Sequence, residues 1–407
     1  MDGRGFVAVH VGAAGVQLLK SQTDQTANAT AVVEHMIRIL EDDPVTNAGT
    51  GSNLNLDGFV ECDASIMNGT TLGYGSVGAV SDFKNPISVA AKILEEADQG
   101  PLSLGRIPPI MLVGPGVTNW VETMGFTALD KVHPKVNLAQ HETKSSNGRQ
   151  DITAENRGDS MTDPIDGSLV TKEALSRHIR FQAMLHESLS QKRKVQDSIP
   201  LQSSPFQSSP PSKKREMIID ESLLQDTVGA ICVDSLGRVA AGVSSGGIAM
   251  KFPGRVSEAA IYGAGCWAQD PTQENPGFAC SMTGAGEQIC KTLLARTCME
   301  ILVYEEEEDT ATAVNLVLER FINSPLLKSY GDRNAGFIAV KVCSTATEDL
   351  ASKADQKLET AVRVEFVFAH TTQTMGLAYM STRDNKPTAV MSQRKAESKV
   401  YTQLIKI

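Results

Sequence analysis

The sequence predicts an α+β protein in which stacked β-sheets are covered by helices. Three observations lead there. Strand-like runs occur in both halves of the chain, amphipathic helical runs also occur in both halves, and 41% of the 407 residues are hydrophobic, enough for a large core. Sheets and helices each carry an apolar face, and stacking them in layers buries it. At roughly 150 residues per domain the length allows two or three units, or one large domain with an insertion.

The elements follow in order. "GFVAVHVG" (5–12) reads as a short buried strand. "TAVVEHMIRILEDDP" (30–44) places Val32, Val33, Met36, Ile37 and Leu40 at helical spacing, with Pro44 past the end. Residues 47–69 are turn chemistry around a strand pair. "NPISVAAKILEEA" (85–97) reads as a helix with Asn85 as N-cap and Pro86 in the first helical position. "GYGSVG" (73–78) fits a nucleotide-loop spacing, but no helix or spaced acidic residue follows, so no nucleotide site is expected.

From 141 to 225 Ser, Pro, Asn, Gln and charge dominate, as in "QSSPFQSSPPSKKRE". Such composition cannot offset chain entropy by burial, so this stretch is expected to be a flexible basic insertion or linker. Within it, 171–194 carries Leu175, Ile179, Leu185 and Leu189 near one stripe, the pattern of a marginal, solvated helix. Order returns at Thr227. Two strands are expected in 227–245, joined around Ser235–Gly237; helices in 284–303 and 309–322; and strands in 336–343, 362–370 and 375–381. The run "EEEED" (305–309) suits a helix start.

Composition excludes several classes. A net charge of −10 lacks the basic footprint of a general nucleic-acid binder. No apolar run reaches the roughly 18 residues of a membrane span. The start "MDGRGFVAVHVGAAG" reads as having no secretory signal. The seven cysteines form no CxxC pair and are expected to be buried free thiols. The seven histidines show no metal spacing, and no cofactor is implied.

Chemistry concentrates where the polar run ends, at "LLQDTVGAICVDSLGRVAAGVSSGG". An internal Thr hydroxyl is a poor nucleophile. If the Asp226–Thr227 bond is cut, Thr227 gains an α-amine with a pKa of about 7.7–8.0, well placed to accept the proton of its own hydroxyl.

Further segments accompany Thr227: "SSGG" (244–247), "KFPGR" (251–255), "SMTGAGE" (281–287), "TNAGTGSNLN" (46–55) and "ECDASIMNG" (61–69). Together with "TVGAI" (227–231) they resemble, in order, the linked motifs of the plant-type asparaginase family of N-terminal nucleophile hydrolases. The resemblance covers most of the chain outside 141–225. It implies a four-layer αββα sandwich, self-cleavage between Asp226 and Thr227, and two products, an α subunit (1–226) and a β subunit (227–407). These would form an α/β heterodimer able to pair again into a dimer of heterodimers.

The resemblance also implies roles. Thr227 would be nucleophile and, through its amine, base. Ser245 would donate to the Thr227 hydroxyl. Thr283 and Gly284 would form the oxyanion hole. Asn47 would polarise the scissile oxygen or orient the amine, and Arg255 would bind a substrate carboxylate. In "HVGAAG" (10–15), one residue longer than the family's motif, Gly12 and Gly15 compete for the substrate-facing place, and Gly15 is assigned to it.

"GRVSEAAIYGAGCWA" (254–268) departs from the Gly-Arg-(Val/Leu)-Gly-Asp-Ser-Pro of small-molecule asparaginases. Glu258 stands near the place of the Asp that reads a free α-amine. That departure resembles the family's protein-cleaving branch, and implies a threonine endopeptidase acting on protein substrates after Asp. An asparaginase or isoaspartyl peptidase is the alternative. Two basic clusters, "QKRK" (191–194) and "SKKR" (212–215), fit recognition by a nuclear import receptor, so the expected location is nucleus and cytoplasm.

Overall fold

The structure is a computed structural model that describes residues 5–11, 28–124, 161–165, 168–197, 227–305, 309–345 and 361–407. Two sheets form its centre. Strands β1 (Phe6–Val11), β2 (Cys62–Asn68), β3 (Tyr74–Val80), β4 (Met111–Val113), β5 (Val228–Val233) and β6 (Val239–Ser245) join β11 (Thr374–Ser381) and β12 (Thr388–Gln393). Their order is β12-β11-β1-β5-β6-β2-β3-β4. The second sheet orders β13 (Tyr401–Lys406), β10 (Ala361–His370), β9 (Ala335–Thr345), β8 (Gly277–Gly284) and β7 (Cys266–Gln269) as β13-β10-β9-β8-β7.

Helices α1 (Ala29–Asp42) and α2 (Pro86–Asp98) cover the outer face of the larger sheet. Val33, Ile37 and Leu40 of α1, with Ile87, Ala90 and Ile93 of α2, pack there on Ala64, Ile66, Val77 and Ala230. On the far side, Val314, Val317, Leu318 and Phe321 lie on one face of a helix spanning Thr310–Ile322 and join the core that holds Phe337, Phe366 and Phe368. The result is the expected αββα sandwich. Strands β5 and β6 face β8 across the middle. Among the described residues no helix is long and apolar enough to cross a membrane.

Several expectations change in detail. Residues 47–61 hold turns and one isolated bridge, Leu54 with Val60, so only β2 of the expected strand pair forms. Asn85 precedes α2 but makes no cap bond; its Nδ2 donates to Asp42 instead, and Glu41 of α1 accepts from the Ile87 N–H at 3.0 Å. The expected helix over 284–303 breaks at Leu293 (φ 44°) into Gly286–Thr292 and Leu294–Met299, followed by a π-helical turn. Thr297 Oγ1 donates to the Thr292 carbonyl that the break leaves open. Strands β3, β4, β7, β8, β12 and β13 carry too little alternation to be read in advance. Asp309 caps the helix after it by accepting from Thr312 N, as the acidic run suggested.

The polar insertion contributes to the core. Ile165, Leu169, Val170, Ala174 and Leu175 bury against Leu54, Val60 and Cys62. Gly51 N donates to Leu169 O, and Arg177 Nη2 donates to Gly51 O. The helix Lys172–Asp197 then leaves the surface: of the stripe read from sequence, Leu175 is buried while Ile179, Leu185 and Leu189 are exposed. A short apolar patch next to a loop that needs covering outweighs the polar average.

All seven cysteines are free thiols; Cys62, Cys232, Cys266, Cys280 and Cys298 are buried. Burial pushes the Cys62 thiol up to about 11, away from reactivity at neutral pH.

Glu41 is fully buried, and loss of hydration raises its carboxyl from 4.5 to about 8. The folded form therefore keeps a proton that the unfolded chain gives up. This site's stabilising contribution is complete below about 4.5 and is lost as pH rises to about 8. Glu41→Gln is expected to flatten that decline, read as melting temperature against pH; an unchanged slope would show that Glu41 is not its source.

Candidate active site

Thr227 immediately precedes β5, and the antiparallel pairing of Val228 with Ser244 sets Thr227 opposite Ser245. That register explains the central contact: Thr227 Oγ1 lies 3.2 Å from Ser245 Oγ, in a buried setting. Ser245 Oγ in turn accepts from Gly247 N at 3.0 Å. Thr227 Oγ1 also lies 3.1 Å from Glu258 Oε1. The Thr227 hydroxyl is the donor in both contacts, so its one proton is shared between Ser245 Oγ and the Glu258 carboxylate, and the expected donation from Ser245 is reversed.

Glu258 is held in place from β2. Asp63 Oδ2 accepts from both the N–H and the hydroxyl of Ser257, each at 2.7 Å, and so fastens the short turn Glu258–Ala260 against the strand edge. Burial raises the Glu258 carboxyl from 4.5 to about 7, and Arg255 nearby opposes the rise. Both protonation states are therefore accessible near neutrality.

The carbonyl of Thr227 is gripped separately. His10 Nδ1 lies 3.0 Å from it, and His10 Nε2 lies 2.8 Å from Ser281 Oγ on β8. A carbonyl only accepts, so Nδ1 carries the proton; the Ser281 hydroxyl lies within reach of both Nε2 and Gly242 O, the latter at 3.0 Å. Burial lowers His10 to about 4, which keeps the ring neutral. A Cβ on Gly229 would meet Ser281 Oγ at 2.0 Å and His10 Nε2 at 2.4 Å, so only glycine fits beside this pair.

Arg255 reaches the same place from the loop after β6. Its Nε and Nη2 donate to Glu287 Oε1 at 2.8 and 2.7 Å. Its Nη1 is buried with no hydrogen-bond partner. Gly247 (φ +67°) lies against it: a Cβ there would stand 2.7 Å from Nη1 and 3.5 Å from Lys251 Nζ. Two cations thus flank one left-handed glycine two residues after Ser245.

Thr283 and Gly284 end β8, paired with Gly336 and Ala335. Just beyond them, a Cβ on Gly286 would come within 2.4 Å of Glu258 Oε2, which sets this strand end beside the carboxyl that Thr227 contacts. Thr283 Oγ1 is buried and has no hydrogen-bond partner, so it retains a donor for charge developing on a carbonyl oxygen.

Asn47 works underneath. Its Nδ2 donates to Gly247 O, its Oδ1 accepts from Asn53 N, and its backbone carbonyl accepts from Gly246 N at 2.7 Å. These bonds shape the loop after Ser245. Asp226, Gly12 and Gly15 lie outside the described residues.

Sequence reasoning did not single out Lys251, His10, Ser281 or Asp63 as functional. Each stands inside or beside a motif already quoted. What was missing was the partner, 271 residues away for the His10–Ser281 pair.

Removing one preorganised catalytic hydrogen bond costs about 10²–10³ in rate. Ser245→Ala is therefore expected to slow turnover by that order with little change in melting temperature. Parental turnover from this variant would remove Ser245 from the site.

Fold and site together define an N-terminal nucleophile hydrolase. The sequence profile described as "Asparaginase" matches residues 9–354, and the chain belongs to that family. It is 31% identical to the plant-type L-asparaginase of Pyrococcus furiosus over 296 residues, covering 72% of this chain and 74% of that protein. It is 29% identical to the isoaspartyl peptidase/L-asparaginase of Bos taurus over 352 residues, 86% of each chain. With the isoaspartyl peptidase of Escherichia coli it shares 27% over 277 residues, 68% of this chain and 64% of that protein.

Proposed function

We propose that this hydrolase is a self-processing threonine endopeptidase of the taspase (threonine aspartase) kind, which cuts protein chains after Asp. One observation carries the reading. The site keeps one guanidinium nitrogen open: Arg255 Nη1 is buried and unpartnered although Arg255 is paired with Glu287, and Glu258 accepts from Thr227. A buried guanidinium N–H left open in this way suits the carboxylate of an Asp side chain.

Maturation and turnover then share a pocket. Asp226 is the residue before the cut, so the chain's own cleavage site samples the specificity it later applies. Thr227 Oγ1 attacks the carbonyl, Thr283 steadies the oxyanion, and water releases the ester. No metal or cofactor enters these steps.

The topology supports a lasting α/β heterodimer after the cut. Strands β1–β4 belong to 1–226, whereas β5, β6, β11 and β12 belong to 227–407, and β1 lies between β11 and β5. The two pieces are interleaved in one sheet, so separation would expose both core faces. A dimer of heterodimers remains part of the same proposal.

The second reading is an asparaginase or isoaspartyl peptidase. The names of the relatives favour it, as does the presence of an acid, Glu258, where such enzymes carry their amine-reading Asp. The test sets an Asp-Gly peptide against its Asn-Gly and Glu-Gly versions, with asparagine and a β-aspartyl dipeptide alongside. Selective cutting of the Asp-Gly peptide is expected. Fast ammonia release from asparagine, with the Asp-Gly peptide left whole, would transfer the assignment to the second reading.

Nuclear import belongs to the same proposal. "QKRK" (191–194) ends near the C-terminus of the helix Lys172–Asp197, and "SKKR" (212–215) lies outside the described residues. Changing both clusters to Ala is expected to reduce nuclear accumulation of a fluorescent fusion. Cytoplasmic retention with both clusters intact would refute it.

A further inference from the structure

In the uncut chain Thr227 has no amine, because its nitrogen is still the amide to Asp226. The base used in turnover is therefore absent at the first cut, and some other group has to take the hydroxyl proton. Among the described residues two side chains touch Thr227 Oγ1: Ser245, which is no base at neutral pH, and Glu258. His10 is turned elsewhere, with Nδ1 on the Thr227 carbonyl and Nε2 on Ser281.

We propose that Glu258 is the catalytic base of self-cleavage, accepting the Thr227 hydroxyl proton and delivering it to the Thr227 nitrogen. The proposal rests on the self-cleavage reading above and assigns a residue to a step that reading leaves without one. The geometry is that of a proton transfer: Oε1 is 3.1 Å from Oγ1, and the turn carrying Glu258 is pinned by two bonds from Ser257 to Asp63.

The steps balance. Glu258 carboxylate removes the proton from Thr227 Oγ1, and the oxygen bonds to the Asp226 carbonyl carbon, placing negative charge on its oxygen. The C–N bond then breaks. The leaving Thr227 nitrogen takes the proton from Glu258, becoming a free amine and restoring the carboxylate. The product is an ester between Asp226 and Thr227 Oγ1. Water adds to that ester with the new amine as base, releasing the Asp226 carboxylate and the Thr227 hydroxyl.

The surroundings suit a group that must both take and return a proton. Burial is the largest influence on Glu258 and raises it to about 7; Arg255 opposes this, and Asp63 reinforces it. From the helix Gly286–Thr292, Glu287 pairs with Arg255, and Cys290, itself raised by burial, faces the same cluster. A fully ionised acid would return the proton poorly, and a permanently neutral one could not take it.

The test follows self-cleavage directly. Full chains are made by pulse-labelled cell-free translation and moved to buffers from about pH 5.5 to 9, a range that brackets a base titrating near neutrality. Appearance of the fragments 1–226 and 227–407 is timed on gels. For the parent, the rate is expected to rise with pH through about 7 as Glu258 ionises, then level off. Glu258→Gln should slow it by about 10²–10⁴-fold and erase that limb; Glu258→Asp should keep the limb at a reduced rate. Folding is compared by melting temperature in Thr227→Ala chains with and without Glu258→Gln, since neither cuts. If the Gln pair differs in folding, the Asp variant decides. Parental rates and an unaltered pH limb in Glu258→Gln, or loss of the limb in a folded Glu258→Asp, overturn the assignment. A parent chain that never cuts defeats the self-cleavage reading itself, a separate and recognisable result.

Discussion

Thr227→Ala is expected to leave one uncut chain of 407 residues with no measurable hydrolysis of an Asp-Gly peptide. The variant removes the hydroxyl that the proposed mechanism uses to attack. Oγ1 sits between Ser245 Oγ at 3.2 Å and Glu258 Oε1 at 3.1 Å, and Ala supplies nothing at that point. The Ser245 hydroxyl cannot substitute, because it is fixed by Gly247 N and stands one strand away from the scissile bond. The fold should survive: strand β5 keeps all its pairings, and a methyl group replaces a slightly larger side chain. Gel electrophoresis with N-terminal sequencing checks the result. The same two fragments from purified Thr227→Ala, with no protease added, would show that cleavage is external.

The second large effect concerns Arg255. Truncating one member of a buried, hydrogen-bonded charge pair costs 2–5 kcal/mol or more, part of it from the partner left alone. Arg255→Ala would remove the buried, unpartnered Nη1 that would pair a substrate carboxylate, while Glu287, 47% exposed, stays solvated without it. A loss in kcat/KM on the order of 10³-fold is expected, carried mainly by KM, since about 4 kcal/mol corresponds to that ratio. Arg255→Lys should recover little, because an ammonium cannot hold Glu287 and reach a substrate at once. The discriminating measurement compares Asp-Gly with Asn-Gly peptides: the preference for Asp should collapse in the variant. An unchanged preference would move carboxylate recognition to Lys251, the second cation beside Gly247.

Glu258 and Arg255 show where reading the sequence stops. The motif "GRVSEAA" can be seen to differ from its relatives' pattern, and a charged residue can be seen to stand in an unusual place. Nothing along the chain says that Glu258 touches Thr227, 31 residues earlier, or that its turn is anchored 194 residues back on Asp63. Arg255 reads as free for a ligand, yet two of its nitrogens are committed to Glu287. Asn47 reads as a substrate residue and in the fold shapes the Gly246–Gly247 loop.

The helices tell a similar story. Periodicity located α1 and Thr310–Ile322 because their apolar stripes face sheets and therefore must repeat at 3.6 residues. It missed the break at Leu293, where a left-handed residue interrupts an unbroken pattern. It also underrated 161–175, whose few apolar residues gain their meaning from Leu54 and Val60 far upstream.

What the sequence by itself determined is local and periodic: the layers, the strand that follows Thr227, and the motifs around Thr227, Ser245, Arg255 and Thr283. These follow from side-chain pattern and chain order, which are written in neighbouring residues. What only the tertiary structure decided is which groups share a proton or a charge. His10 with Ser281, Glu258 with Thr227, and Arg255 between Glu287 and an open Nη1 are all long-range meetings. Hydrogen bonds and pKa shifts depend on distances of about 3 Å and on exclusion of water, and both arise only when the sheets close on one another.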